Sequence, residues 1–186
     1  MSASAPLVLV TGNAGKLAEA RRLVARPIEA VAIDLPEIQS LDLGEVLRAK
    51  ADAAFRAVGR PVVVEETGLE LRALNGFPGP FVRWMLEAVG AEGIARIGLT
   101  LGDPRAAALC MLAWTDGERL QVGSGRTEGE LVLPPRGTRG FGWDPVFVPE
   151  GESRTYGELE DPEKDRIGHR GRAWRALLVE LDRAAG

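Results

Sequence analysis

One eight-residue stretch, Pro61-Val-Val-Val-Glu-Glu-Thr-Gly68, constrains this chain more than any other. Three consecutive valines favour a strand, and a run apolar on both faces belongs inside a sheet rather than at its edge. The run meets Glu65 and Glu66, carboxylates that are costly to bury unless paired, hydrogen-bonded or metal-bound. Neighbouring strand residues point to opposite faces, so the two acids are not equivalent without a bend. Two readings fit. One is a solvated strand end; the other is a metal-binding, water-activating corner at the carboxyl end of a strand, where open α/β sheets take their ligands.

On either side, strands alternate with helices. Residues 7–11 read as a short strand, and Gly12-Asn-Ala-Gly15 breaks into a helix over 16–24 with Leu17, Ala20 and Leu23 on one stripe. A strand, a glycine turn and a helix start present free backbone N–H groups to an anion. The turn is not a P-loop, because Leu17 follows Lys16 where Ser or Thr is required. Lys16 is then either a phosphate ligand or a solvated first-turn lysine. A strand over 28–33 leads to a helix from Asp42 to Val58, with Glu45 in its first turn, where the helix dipole favours an acid, and Lys50 expected to face solvent.

Asn75-Gly-Phe-Pro-Gly-Pro80 is a turn-rich loop before a helix that opens at Phe81 and ends near Gly90, with a short helix over 91–97 beyond. Asp116-Gly117 between two strand-like runs predicts a hairpin. A basic glycine-rich loop over 135–140 precedes Phe141-Gly-Trp-Asp-Pro-Val-Phe-Val148. Asp161 as cap and Pro162 as first helical residue start a helix, and Ala173, Leu177, Leu178 and Leu181 mark the apolar face of the last one. With no repeat and no linker, residues 1–186 read as one mixed α/β domain.

Charge narrows the partners. Lys and Arg number 23 against 27 Asp and Glu, a net charge of -4, so a nucleic acid polymer is not the expected partner. Cys110 is the single cysteine, which excludes a disulfide framework and suits a reducing compartment; flanked by apolar residues, it reads as a buried, inert thiol. The first six residues carry no leader pattern, and no apolar run is long enough to span a bilayer, so the expected location is cytoplasmic.

The polar residues at element ends combine acids (Glu45, Glu65, Glu66, Asp144) with bases (Lys16, Lys50, Arg83, Lys164, His169, Arg170). Carboxylates hold a hard cation and orient water, and lysines and arginines offset phosphate charge. Phe141 and Trp143 are either base-stacking rings or core; His169, the sole histidine, either contacts a ligand or is structural.

Five separated segments then carry a family pattern: Thr11-Gly-Asn-Ala-Gly-Lys16, Val64-Glu-Glu-Thr-Gly-Leu69, Gly76-Phe-Pro-Gly-Pro-Phe-Val-Arg-Trp84, Phe141-Gly-Trp-Asp-Pro-Val-Phe147 and Glu163-Lys-Asp-Arg-Ile-Gly-His-Arg170. In this order, over nearly the whole chain, the sequence resembles the inosine triphosphate pyrophosphatase, or Ham1-like, family and looks closest to its eukaryotic-type branch. The resemblance implies an α/β fold with an elongated mixed sheet flanked by helices, in two lobes with a cleft between them, and a homodimer. It implies Mg²⁺-dependent hydrolysis of deaminated or otherwise non-standard purine nucleoside triphosphates, such as ITP, dITP and XTP, to the monophosphate and pyrophosphate. Alternatives are a Maf-like pyrophosphatase for pyrimidine or modified nucleotides, or a nucleotide-binding protein of little activity.

By resemblance, Thr11, Gly12, Asn13, Ala14, Gly15 and Lys16 form the phosphate-gripping turn. Glu45, Glu65 and Glu66 match the metal ligands, and Glu66 also activates water. Lys50, Thr67 and Arg83 continue the substrate site, Phe141, Gly142, Trp143 and Asp144 match the base-recognition segment, and Lys164, His169 and Arg170 complete the pocket. Three departures stand out: Glu66 where the family usually has Asp, Arg83 where a lysine is usual, and Gly168 where a serine precedes His-Arg.

Overall fold

A computed structural model describes residues 6–185, so the leader reading of residues 1–5 lies outside the described residues. Seven strands form one sheet in the order β2 (Ile28–Val31), β1 (Leu7–Val10), β3 (Val62–Leu71), β5 (Arg105–Thr115), β6 (Leu120–Leu131) and β7 (Phe147–Pro149). The two-residue β4 (Pro78–Gly79) pairs with β3 off this path. β1 runs parallel to β2 and β3, and the other pairings are antiparallel.

The valine run is central, as its two apolar faces require. β3 does not end at the acids, however: it continues as one ten-residue strand, every residue of it in register with β5. The solvated strand end is therefore replaced by carboxylates in mid-strand. On the opposite edge, β1 pairs at Val63 and β4 at Leu69 and Glu70, so Glu65, Glu66 and Thr67 fall between two strand neighbours. The cleft opens at this gap in the sheet.

Alternation along β3 sends Val62, Val64 and Glu66 to one face and Val63 and Glu65 to the other. The first face packs under α2 (Leu43–Val58), through Leu47, Ala51 and Ala54. The second packs under α1 (Ala14–Leu23) and α5 (His169–Ala185), through Ala20, Ala173, Trp174 and Leu177. A third cluster at the far end of the long strands joins Leu69, Leu71, Ile94, Leu131, Phe147 and Tyr156 under α3 (Val82–Thr100). Along β3 the gap lies between the first two clusters and the third.

Local signals account for the helix ends. The Asp42 carboxylate accepts from the N–H groups of Gly44 and Glu45 and caps α2. At Gly90, with φ 69°, α3 breaks where its first half was expected to end. The start of α4 (Asp161–Ile167) lies one residue off the expected position: Glu160 is the cap, and the Glu163 carboxylate accepts its N–H at 3.0 Å. Gly123 and Gly125 on β6 face α5 so closely that a Cβ on either would overlap the α5 backbone, at Ala173 and Leu177 and at His169 and Ala173. That close approach carries the first residues of α5 to the cleft.

Candidate active site

The cleft holds a cavity of about 980 Å³ lined by residues of β1, β3, α2, α3, the Phe141–Asp144 turn and the start of α5. At its floor the turn after β1 organises itself: Thr11 Oγ1 accepts the Asn13 N–H at 3.1 Å, and Asn13 Oδ1 accepts the Lys16 N–H at 2.9 Å as the cap of α1. The first N–H groups of a helix, here those of Ala14 and Gly15, have no partner within the helix and favour an anion.

The two mid-strand acids serve different faces. Glu66 and Glu37 both accept from Lys50 Nζ, at 2.5 and 2.9 Å, so two carboxylates meet at one positive charge. Burial opposes the Lys50 charge, but Glu66 and Glu37 outweigh it and hold the ammonium above the usual lysine range. Lys50 therefore faces the cavity, not solvent. Glu65 accepts from Arg170 Nε at 3.1 Å and lies 3.3 Å from Lys16 Nζ.

Behind Glu65 runs a buried ion network. Arg170 Nη1 also reaches Glu19 at 2.5 Å, Glu19 accepts from Lys164 Nζ at 2.8 Å, and Lys164 reaches Asp144 at 2.6 Å. Three acids and three bases thus connect the β1 turn to the Phe141–Asp144 turn, and such a buried set is tolerable because each charge is paired. Burial pushes Asp144 up, against the pull of one ammonium. Glu19 is also opposed by burial, but Arg170 and Lys164 together hold its carboxyl below the usual range.

Another wall of the cavity is aromatic. Phe141 is half-buried at the wall, whereas Trp143 is 8% exposed and packs on Phe147, Tyr156 and His169. Among the described residues, His169 Nδ1 has no hydrogen-bond partner. Burial, and then the Arg170 charge, keep His169 neutral by pushing it well below the usual histidine value.

Of the residues expected at the site, Thr11, Gly12, Asn13, Lys16, Lys50, Glu65, Glu66, Thr67, Arg83, Phe141, Gly142, Trp143, Asp144, His169 and Arg170 line the cavity. Arg83 stands at the rim, its Nε 3.0 Å from Glu87. Lys164 lies behind the wall, and Ala14 and Gly15 are not among the lining residues. Glu45 is not brought in: it is exposed and accepts from Ser40 Oγ at 2.7 Å in the first turn of α2. Asp34 and Glu37 also line the cavity and Glu19 stands behind it; the sequence reading names none of the three, and the acids of Asp34-Leu-Pro-Glu37 are the signal for two of them.

Among the described residues, no group of three or more His, Cys, Asp or Glu side chains forms a metal cage. Mg²⁺ does not need one, since it is held by one or two carboxylates together with substrate phosphates and water. Glu66 and Glu37, converging on a cation, fit that donor set. No helix among the described residues is long and apolar enough to cross a membrane.

The profile of the Ham1 family matches residues 7–180. A dITP/XTP pyrophosphatase of Methanopyrus kandleri is 38% identical over 171 residues, covering 90% of this chain and 91% of that protein. The structure of a HAM1 protein from Coxiella burnetii superposes with a TM-score of 0.81 at 29% identity, over 96% of this chain and 98% of that one. A nucleoside-triphosphatase / dITP/XTP pyrophosphatase from Mycobacterium abscessus gives 0.65 at 30% identity, over 94% and 99%.

Proposed function

The chain belongs to the Ham1 family, and from that premise we propose that it hydrolyses non-standard purine nucleoside triphosphates, dITP, XTP and ITP among them, to the monophosphate and pyrophosphate. The observation that carries the reading is the double character of one cavity: lysines and carboxylates around a helix N-terminus, and beside them an aromatic wall with a neutral histidine. A triphosphate needs the first environment and a purine the second.

In this reading the phosphates lie against the start of α1, with Lys16, Lys50 and Arg83 offsetting their charge. Water attacks the α-phosphorus and its proton passes to Glu66; the bond from the α-phosphorus to the bridging oxygen breaks and pyrophosphate leaves. Glu66 and Glu37 would hold a divalent cation, proposed as Mg²⁺, which supplies charge neutralisation on the phosphate oxygens. Glu65 sits on the other face, paired with Arg170, and its part is to fix Arg170 and Lys16. Phe141 faces the base, while His169 and Arg170 meet its edge. A site built to bond a 6-oxo group disfavours a 6-amino group by leaving polar groups unpaired.

A panel of triphosphates with Mg²⁺, with pyrophosphate and orthophosphate measured separately, tests the proposal. Pyrophosphate release from ITP, dITP and XTP well above that from ATP and CTP is expected. Orthophosphate with nucleoside diphosphate overturns it. The expected homodimer belongs to the same reading, supported by exposed apolar Ile38, Leu41, Phe77 and Trp84 in segments flanking the cavity wall.

A further inference from the structure

Gly15 is the second residue of α1 and has ordinary helical backbone with no positive φ. Glycine in helical backbone is less stable than alanine by up to about 1 kcal/mol, so neither helix formation nor chain geometry accounts for it. What the missing side chain provides is room. A Cβ here would lie 2.5 Å from Phe141 Cδ1, 2.7 Å from Cε1 and 3.1 Å from Cγ.

Several contacts favour the ring where it is. The Phe141 N–H donates to Asp144 Oδ2 at 2.7 Å, and the same oxygen accepts from Lys164 Nζ at 2.6 Å. The ring also lies 5.3 Å from Lys164 Nζ and 5.4 Å from Arg170 Cζ, within cation–π range. It is therefore seated between the ion network and bare α1 backbone, with its other side on the cavity.

We infer that Gly15 is a positioning residue for the purine: lacking a side chain, it lets the Phe141 ring lie against α1 and so sets the width of the slot that takes the base. The inference rests on the nucleotide reading above. It assigns two tasks to one turn, since the backbone N–H groups serve phosphate while the absent Cβ at Gly15 serves the base. Gly15→Ala keeps the N–H and removes only the room.

The test compares two ligands, a non-hydrolysable analogue of inosine triphosphate and inorganic tripolyphosphate, each with Mg²⁺, binding to the wild type, Gly15→Ala, Phe141→Leu and the double variant. Gly15→Ala is expected to weaken the nucleotide analogue roughly tenfold, the size of a base–aromatic contact, and to leave tripolyphosphate within about twofold. In the Phe141→Leu background the same substitution is expected to change neither by more than about twofold. Because the double variant removes the ring, it relieves the overlap and keeps the comparison readable if the single variant folds poorly. Equal weakening of both ligands, no weakening of the analogue, or a loss that persists without the ring overturns the inference. A wild-type protein with no affinity for the analogue overturns the function reading and this one with it.

Discussion

Lys50 holds Glu66 and Glu37 together, and in the proposed reading the acid in the loop before α2 shares the cation with the acid in the strand. Glu37→Gln is expected to raise the Mg²⁺ concentration for half-maximal activity by about tenfold or more. Glu45→Gln is expected to leave it unchanged, as titration of activity with Mg²⁺ will show. Glu45 had the right type in a well-formed helix, whereas Glu37 is brought in by the path of an irregular loop that no periodicity announces.

His169 gives the fold a pH dependence. Burial sets its folded value well below 6.5, so the folded protein holds it neutral while the unfolded chain protonates it. Its contribution is fully present above about pH 6.5 and is lost as pH falls from there towards the folded value, at no more than about 1.4 kcal/mol per pH unit. Denaturant unfolding at pH 7, 6 and 5 is expected to show this decline, and His169→Gln to flatten it. Glu19, held below the usual carboxylate range, contributes stability present above about pH 4.5 and lost as pH falls further.

Among the elements, α5 positions the site through what it rests on. The glycines of β6 let it approach the sheet, and Thr127 Oγ1 donates to the Ile167 carbonyl at 3.2 Å just before it begins. Gly125→Ala is expected to cost about 1–3 kcal/mol as the helix is pushed off. A rise in KM should accompany the lower melting temperature, since His169 and Arg170 move with the helix. Strand and helix types were legible wherever a period ran uninterrupted, as in α2 and the hairpin of β5 and β6. The Gly-x-Gly spacing of β6 was equally visible but could not be interpreted, because a glycine announces room without naming what fills it.

For the molecule as a whole, each carboxylate of the cavity floor has a cationic partner within the chain: Glu66 and Glu37 rest on Lys50, and Glu65 on Arg170 and Lys16. Chelating the divalent cation is accordingly expected to abolish turnover while leaving the melting temperature nearly unchanged. Adding Mg²⁺ with a non-hydrolysable triphosphate at about 100 times Kd is expected to stabilise the fold by about 2.7 kcal/mol. The ordered family segments made the charged and the aromatic walls of this cavity legible from the sequence. Its middle, where a strand runs on past its parallel neighbour, depends on a register between distant segments that local patterns do not contain.

That register makes Glu65 and Glu66, adjacent codons, answerable to different kinds of selection. A substitution scan read for abundance and for activity should find a sharp border between them. Glu65→Gln removes one of the two counter-charges of the buried Arg170, Glu19 being the other, and should lower the amount of folded protein, by up to about 3–5 kcal/mol of stability. Glu66→Gln should leave abundance near normal and cut turnover by about 10² or more.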